Sequence, residues 1–131
     1  MKKLMTVLMS VAVLMAFAVT LNAEEKPSPE SVWGADMRKL FKLYPEAELT
    51  QDLLALLKKT NEDYKKIQLD EFKEDTKELF KRLNYQFVMA EVKVKTGITM
   101  INLDARRTRE LKNEATTLLK TAKEIYDRSS P

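Results

Sequence analysis

Apolar residues return at three- and four-residue steps along nearly the whole chain after residue 28, with polar residues filling the positions between them. That period marks one buried face of an α-helix. Ser28 stands where an N-cap would, with Pro29 at the first helical position, and Trp33, Met37, Leu40, Phe41 and Tyr44 follow at helical spacing until Tyr44-Pro45 ends the element. A second helix is predicted from Thr50, whose hydroxyl can cap free backbone amides and whose flanks, Leu49 and Leu54, have the spacing of a hydrophobic staple. Leu53, Leu56, Leu57, Tyr64 and Ile67 form its stripe.

Asp70 is the next expected cap, ahead of Phe72, Leu79, Phe80, Leu83, Phe87 and Ala90. The last helix carries Leu111, Ala115, Leu118, Leu119, Ala122, Ile125 and Tyr126, with Lys120, Lys123 and Arg128 near the end where the helix dipole favours cations. Ser129-Ser130-Pro131 is a frayed tail.

One stretch reads two ways. From Val88 to Leu103, Val92-Lys93-Val94-Lys95 alternates apolar and polar, and Thr96-Gly97 can turn into Ile98-Thr99-Met100, the pattern of a β-hairpin. A lone two-stranded hairpin is marginal in water and both flanks are helical, so helix is the preferred reading. The junction between the third and fourth helices then falls near Gly97 or near Asp104-Ala105-Arg106-Arg107, and the capping side chain of Asp104 favours the second. No proline lies between Glu46 and Ser130, and after the leader the only glycines are Gly34 and Gly97. The expected fold is all-α, a four-helix up-down bundle with long later helices.

The first 23 residues obey a different pattern. Lys2 and Lys3 precede an apolar run from Leu4 to Val19, and Leu21-Asn22-Ala23 gives a small-residue exit before Glu24-Glu25-Lys26-Pro27. These are the three parts of a cleaved secretory signal peptide. Ala16-Phe17-Ala18 is a second exit. An uncleaved anchor would need ~20 apolar residues, and no cysteine follows either exit, which excludes lipid attachment through a lipobox. The expected organisation is a signal peptide over residues 1–23 and one bundle domain over residues 24–131, located in the periplasm or secreted.

The whole chain holds 23 basic and 20 acidic residues, and two of the basic ones leave with the leader, so the mature domain is close to neutral. It lacks the strongly basic footprint of a nucleic-acid binder. With no cysteine there is no disulfide framework, and stability must come from packing.

The absence of both histidine and cysteine removes a member from serine triads, thiol nucleophiles, ordinary zinc sites and di-iron bundles. No catalytic constellation stands out, and a non-enzymatic role is expected. Asp70, Glu71, Glu74, Asp75 and Glu78 form the densest carboxylate group, and Glu71, Glu74 and Glu78 fall on one helix side. Lys73, Lys77, Lys81 and Arg82 are interleaved, with Glu78 four residues before Arg82, so a solvated salt-laced face is preferred to a cation site. Arg106, Arg107 and Arg109 offer an anion site, although the adjacent Glu110 favours a linker surface. Trp33, Met37, Phe41 and Tyr44 can line a pocket, yet such a stripe is ordinary bundle filling.

A leader, about a hundred further residues, a methionine early in the first helix and a final helix reading Leu119-Lys120-Thr121-Ala122-Lys123-Glu124-Ile125-Tyr126-Asp127 resemble the soluble periplasmic cytochrome b562 family. The resemblance covers most of the mature chain in layout and only the last helix in residues. It implies a four-helix bundle around non-covalent haem b, ligated by a methionine of the first helix and a histidine just after the final aromatic. Met37 matches the first ligand; Asp127 occupies the second position, and a carboxylate is a poor substitute for imidazole. Tyr126 is adjacent but faces about 100° away around the helix.

Three functions are therefore expected in order. The first is an exported bundle of cytochrome b562 type with its haem site lost or weakened, acting as a binding or accessory protein for a protein or small apolar ligand of the cell envelope. The second is a helical interaction protein of adhesin or chaperone-like kind, with Phe80, Phe87 or Val94 exposed on a long hairpin. The third is a haem b electron carrier with atypical ligation.

Overall fold

The computed structural model describes residues 27–129, so the signal peptide assigned to residues 1–23 lies outside the described residues. Four helices form the molecule: α1 (Pro29–Leu43), α2 (Gln51–Lys65), α3 (Glu74–Met100) and α4 (Ala105–Arg128), with a short 3-10 turn at Leu69–Glu71. There is no strand among the described residues. Three of the helix starts are set by local cap chemistry. Ser28 accepts from the Ser31 amide at 3.3 Å with Pro29 inside the first turn, Thr50 Oγ1 accepts from Leu53 N at 3.2 Å, and Asp104 Oδ1 accepts from Arg107 N at 3.0 Å. Pro45 disfavours helical backbone at Tyr44, which leaves the helix at φ −128° and ψ 65°.

Asp70 does not cap the third helix. It sits in the 3-10 turn with its side chain in solvent, and α3 begins only at Glu74, after Lys73, without a side-chain cap. The reason lies in Phe72, which takes extended backbone (φ −109°, ψ 155°) and packs edge-on against Phe80 at 5.1 Å. Drawing that ring toward the core delays the helix, and Glu74 and Asp75 then occupy the dipole-favoured first turn.

From there α3 runs unbroken through Gly97 for 27 residues, ~40 Å. The alternation at Val92–Val94 loses to the longer helical stripe Leu83, Phe87, Ala90, Val94 and Gly97, all of them buried, while Val92 is left exposed.

The chain goes up, down, up and down. Trp33 meets Tyr64 and Asp36 meets Lys59 across antiparallel α1 and α2, Asn61 reaches Phe87 and Glu91 across α2 and α3, and Lys93 pairs with Glu114 across α3 and α4. Contacts of Trp33 with Phe80 and of Phe41 with Phe87 place α1 alongside α3 in the same direction, and Phe41 with Tyr126 closes the bundle on α4. Trp33, Met37, Leu40, Leu53, Leu57, Phe80 and Phe87 are the largest members of one continuous core.

The connection between α1 and α2 is fastened at two points. Ala47 N donates to Thr116 Oγ1 at 3.0 Å, and Leu49 lies on Gly97 so closely that a Cβ there would stand 2.6 Å from Leu49 Cδ2. Beyond these fastenings only α3 and α4 continue: α3 runs three residues from Gly97 to its end at Met100, and α4 starts at Ala105, ~16 Å before Thr116. No helix among the described residues is long and apolar enough to cross a membrane.

Candidate functional site

The interior offers no site for a cofactor between the two positions that the cytochrome resemblance marks. Met37 is closed into the core with Trp33, Leu40 and the rings of Phe80 and Phe87. Asp127 is exposed and held by Lys123 at 2.6 Å. The two positions do sit at the same level of the bundle, since Arg38 Nη1 is 3.5 Å from Tyr126 Oη. An iron between them would have to be inside the packed core and outside the bundle at once. The residues do not fit haem b. Phe41 and Tyr44 are half-buried at the margin of this core, and Phe80, Phe87 and Val94, the residues expected to be exposed on a sticky hairpin, are buried.

Two carboxyls shielded from water, Asp36 on α1 and Asp63 on α2, are joined through the exposed amine of Lys59. Lys59 Nζ lies 2.9 Å from Asp36 Oδ1 and 2.7 Å from Asp63 Oδ2, and Lys66 Nζ reaches Asp63 Oδ1 at 3.4 Å. Burial, together with a hydrogen bond to Asp63, pushes the Asp36 carboxyl up to about 6 against the opposing pull of Lys59. Asp63 is held below its usual range, because its hydrogen bonds to Asp36 and Lys59 outweigh its own desolvation. Below about pH 6 the pair therefore behaves as one neutral acid leaning on one carboxylate. Asp36 Oδ2 is buried with no hydrogen-bond partner, which further disfavours the ionised form.

Chemically this cluster pairs its charges among its own members. Lys59 borders a cleft of about 420 Å³ lined also by Lys39, Leu43, Tyr44, Asp52 and Leu56. Its amine is held protonated, first by Asp63 and then by Asp36, which suits an ion pair and not a nucleophile. Nearby, Asn61 is buried and donates from Nδ2 to Phe87 O at 3.2 Å and to Glu91 Oε1 at 2.7 Å, locking α2 to α3.

The charged clusters singled out in the sequence are dispersed. Glu74 pairs with Lys77, and Glu78 pairs with Lys81 at 3.9 Å, in place of the expected Arg82. No group of acidic residues among the described residues is placed to hold a metal ion. Arg106 and Arg107 pair with Glu110, and Arg107 also reaches Glu114; Arg109 has no such partner.

What remains is the outer face of the α3–α4 hairpin. Tyr85, Val88 and Val92 form an exposed apolar stripe on α3, Tyr85 at 59 % exposure. Alongside it, the seam between the helices opens into a cleft of about 380 Å³ lined by Tyr85, Met89, Lys93, Glu114, Thr117 and Leu118. A second cleft of about 380 Å³ continues on the other side of Tyr85, among Arg82, Gln86, Thr121, Ile125 and Arg128. Tyr85 walls both clefts.

The sequence reading placed Leu118 in the core, against which it packs while also lining the cleft, took Val88 and Val92 only as part of the ambiguous stretch from Val88 to Leu103, and passed over Tyr85 and Met89. Their signal was present: a second apolar series at three- and four-residue steps, rotated away from the stripe of Leu83, Phe87, Ala90 and Val94. Compared with protein-family models, with curated proteins and with solved structures, the chain matches none of them.

Proposed function

We propose that this is an exported, non-enzymatic interaction or accessory protein that engages another protein of the cell envelope through the outer face of its long helical hairpin. The observation that carries the reading is the exposed stripe Tyr85, Val88 and Val92 beside a groove floored by Met89 and Leu118. Contiguous exposed apolar surface of this kind, with polar margins, suits a partner's amphipathic helix. Export rests on the leader pattern of residues 1–23.

The closed core supports the interaction reading over small-ligand binding or electron transfer, since Met37 and Trp33 fill space that a ligand would need. A capture experiment tests it. Residues 24–131 immobilised against envelope extract are expected to retain a discrete protein at fixed stoichiometry. Val88→Glu and Val92→Glu, at exposed positions, should abolish retention without lowering the melting temperature. Equal retention by both variants would sink the reading.

A further inference from the structure

The far end of the same hairpin carries a second surface, built from different residues. The turn between α3 and α4 exposes Ile101 at 49 % and Leu103 at 76 %, the most exposed large apolar side chain among the described residues. Leu103 precedes the N-cap of α4, where an apolar residue usually folds back onto the fourth residue of the helix. That position is Thr108, whose hydroxyl is turned to backbone carbonyls, with its single proton in reach of Asp104 O at 2.7 Å and Met100 O at 3.0 Å. Leu103 therefore has nothing to staple against.

The turn is nevertheless rigid. Met100 O accepts from Leu103 N at 2.9 Å and from Asp104 N at 3.0 Å as well as from Thr108. The amides of Leu103 and Asp104 are thereby paired, which lowers the cost of bringing this turn toward an apolar medium.

Charge completes the surface. Between residues 95 and 112 there are five basic side chains, Lys95, Arg106, Arg107, Arg109 and Lys112, against two acidic ones, Asp104 and Glu110. The rest of residues 24–131 has more acidic than basic side chains, so the positive charge of the domain is concentrated at this end. The tip extends past the α1–α2 connection, whose Leu49 packs on Gly97 about one helical turn short of the end of α3.

We propose that the hairpin tip is a membrane-surface site, in which Ile101 and Leu103 enter the interface of an anionic bilayer while Lys95, Arg109 and Lys112 lie against its headgroups. A protein partner would more often meet a broad apolar patch with a polar margin; two projecting aliphatic side chains with cations set behind them suit a headgroup layer over hydrocarbon. Orientation follows, since the groove around Tyr85 lies farther down the hairpin and is left facing a partner at the membrane.

The test is sedimentation of residues 24–131 with vesicles of phosphatidylcholine alone or with one-third phosphatidylglycerol. Binding is expected to the anionic vesicles only, and to weaken as salt is raised. Leu103→Ser should reduce partitioning about tenfold, and Arg109→Ala about fivefold. Both positions are exposed, so unchanged far-UV dichroism and melting serve as the folding control. Val88→Glu should bind vesicles as wild type does, which separates failure here from failure of the groove reading. Absence of sedimentation with anionic vesicles, or full binding by Leu103→Ser, overturns the proposal. So does a tip-dependent dimer in analytical ultracentrifugation without vesicle binding, which would assign the surface to a second copy of the chain.

Discussion

Replacing Asp36 by Asn isolates the buried acid whose carboxyl is pushed upward, leaving its buried neighbour Asp63 in place. In the folded chain the Asp36 carboxyl titrates near 6, against 3.8 when free, chiefly because burial disfavours the charge and Asp63 accepts a hydrogen bond from the protonated form. The folded state therefore binds a proton more tightly than the unfolded state, and stability must rise as pH falls through 6 toward 4. Between pH 7.5 and 5 those two values correspond to about 1.4 kcal/mol, and solvent screening at this near-surface site reduces it to about 1 kcal/mol. Asp63 works in the opposite direction: its lowered value contributes stability above its unfolded value, lost as pH falls through the folded one. Lys59, with a raised value, contributes up to about its unfolded pKa and loses that contribution only above it.

The cluster is thus most stabilising between about pH 4 and 6. The window is clean because the chain has no histidine. Urea unfolding followed by far-UV dichroism and by fluorescence of the single Trp33 should show wild-type stability rising by about 1 kcal/mol from pH 7.5 to 5. Asp36→Asn should flatten that rise and equal or exceed wild type at pH 7.5, where the amide gives Asp63 the donor that the ionised acid lacks. A wild type that loses stability over this range, with the variant weaker at every pH, would refute the reasoning and show that attraction to Lys59 dominates.

Gly97→Ala sets a helix gain of about 1 kcal/mol against crowding of Leu49, whose Cδ2 would be 2.6 Å from the new Cβ. Overpacking costs about 1–3 kcal/mol, so the single variant should lose about 1 kcal/mol and the same change in a Leu49→Ala background should be stabilising, as a thermal double-mutant cycle will report. Asn61→Ala removes both bonds from α2 to α3 and should cost about 1–2 kcal/mol in urea unfolding, without altering the slope with denaturant. Met37→Ala should cost about 2–5 kcal/mol as a core truncation and Met37→Leu under about 1.5 kcal/mol. Haem added to the folded wild type should give no shifted Soret band; a sharp reduced-state spectrum lost in Met37→Leu would restore the haem reading.

Local chemistry made much of this fold legible in advance. Ser28, Thr50 and Asp104 act as caps because a short oxygen-bearing side chain can reach the amides two or three residues ahead wherever the rest of the chain lies. Pro45 ends α1 for an equally local reason. Asp70 had the same credentials, and failed because a distant partner, Phe80, decides where Phe72 goes. At Val92–Val94 a short alternation competed with a longer helical stripe, and the stripe prevailed because it buries Phe87, Ala90 and Val94 together.

The site was harder to see. Asp36 and Lys59 are 23 residues apart on different helices, and no spacing rule links them. Met37 and Asp127 are adjacent in level and opposed in exposure, which a linear pattern does not encode. Val88 and Val92 look like further core until α1 and α2 are known to cover the other side of α3. The turn at Leu103 is an intermediate case: its cap could be read, whereas its exposure depends on the α1–α2 connection stopping short at Leu49 and Gly97.

The central claim is that this molecule works through the outer face of α3 and α4 and not through its interior. Photo-cross-linking residues placed one at a time at Val88, Val92 and, as a control on the opposite side, Lys58 test it most directly in the cells that make the protein. Discrete adducts with one protein from positions 88 and 92, and none from 58, are the expected result. Adducts of equal strength from all three positions, or none from 88 and 92 in a folded and exported chain, would contradict it.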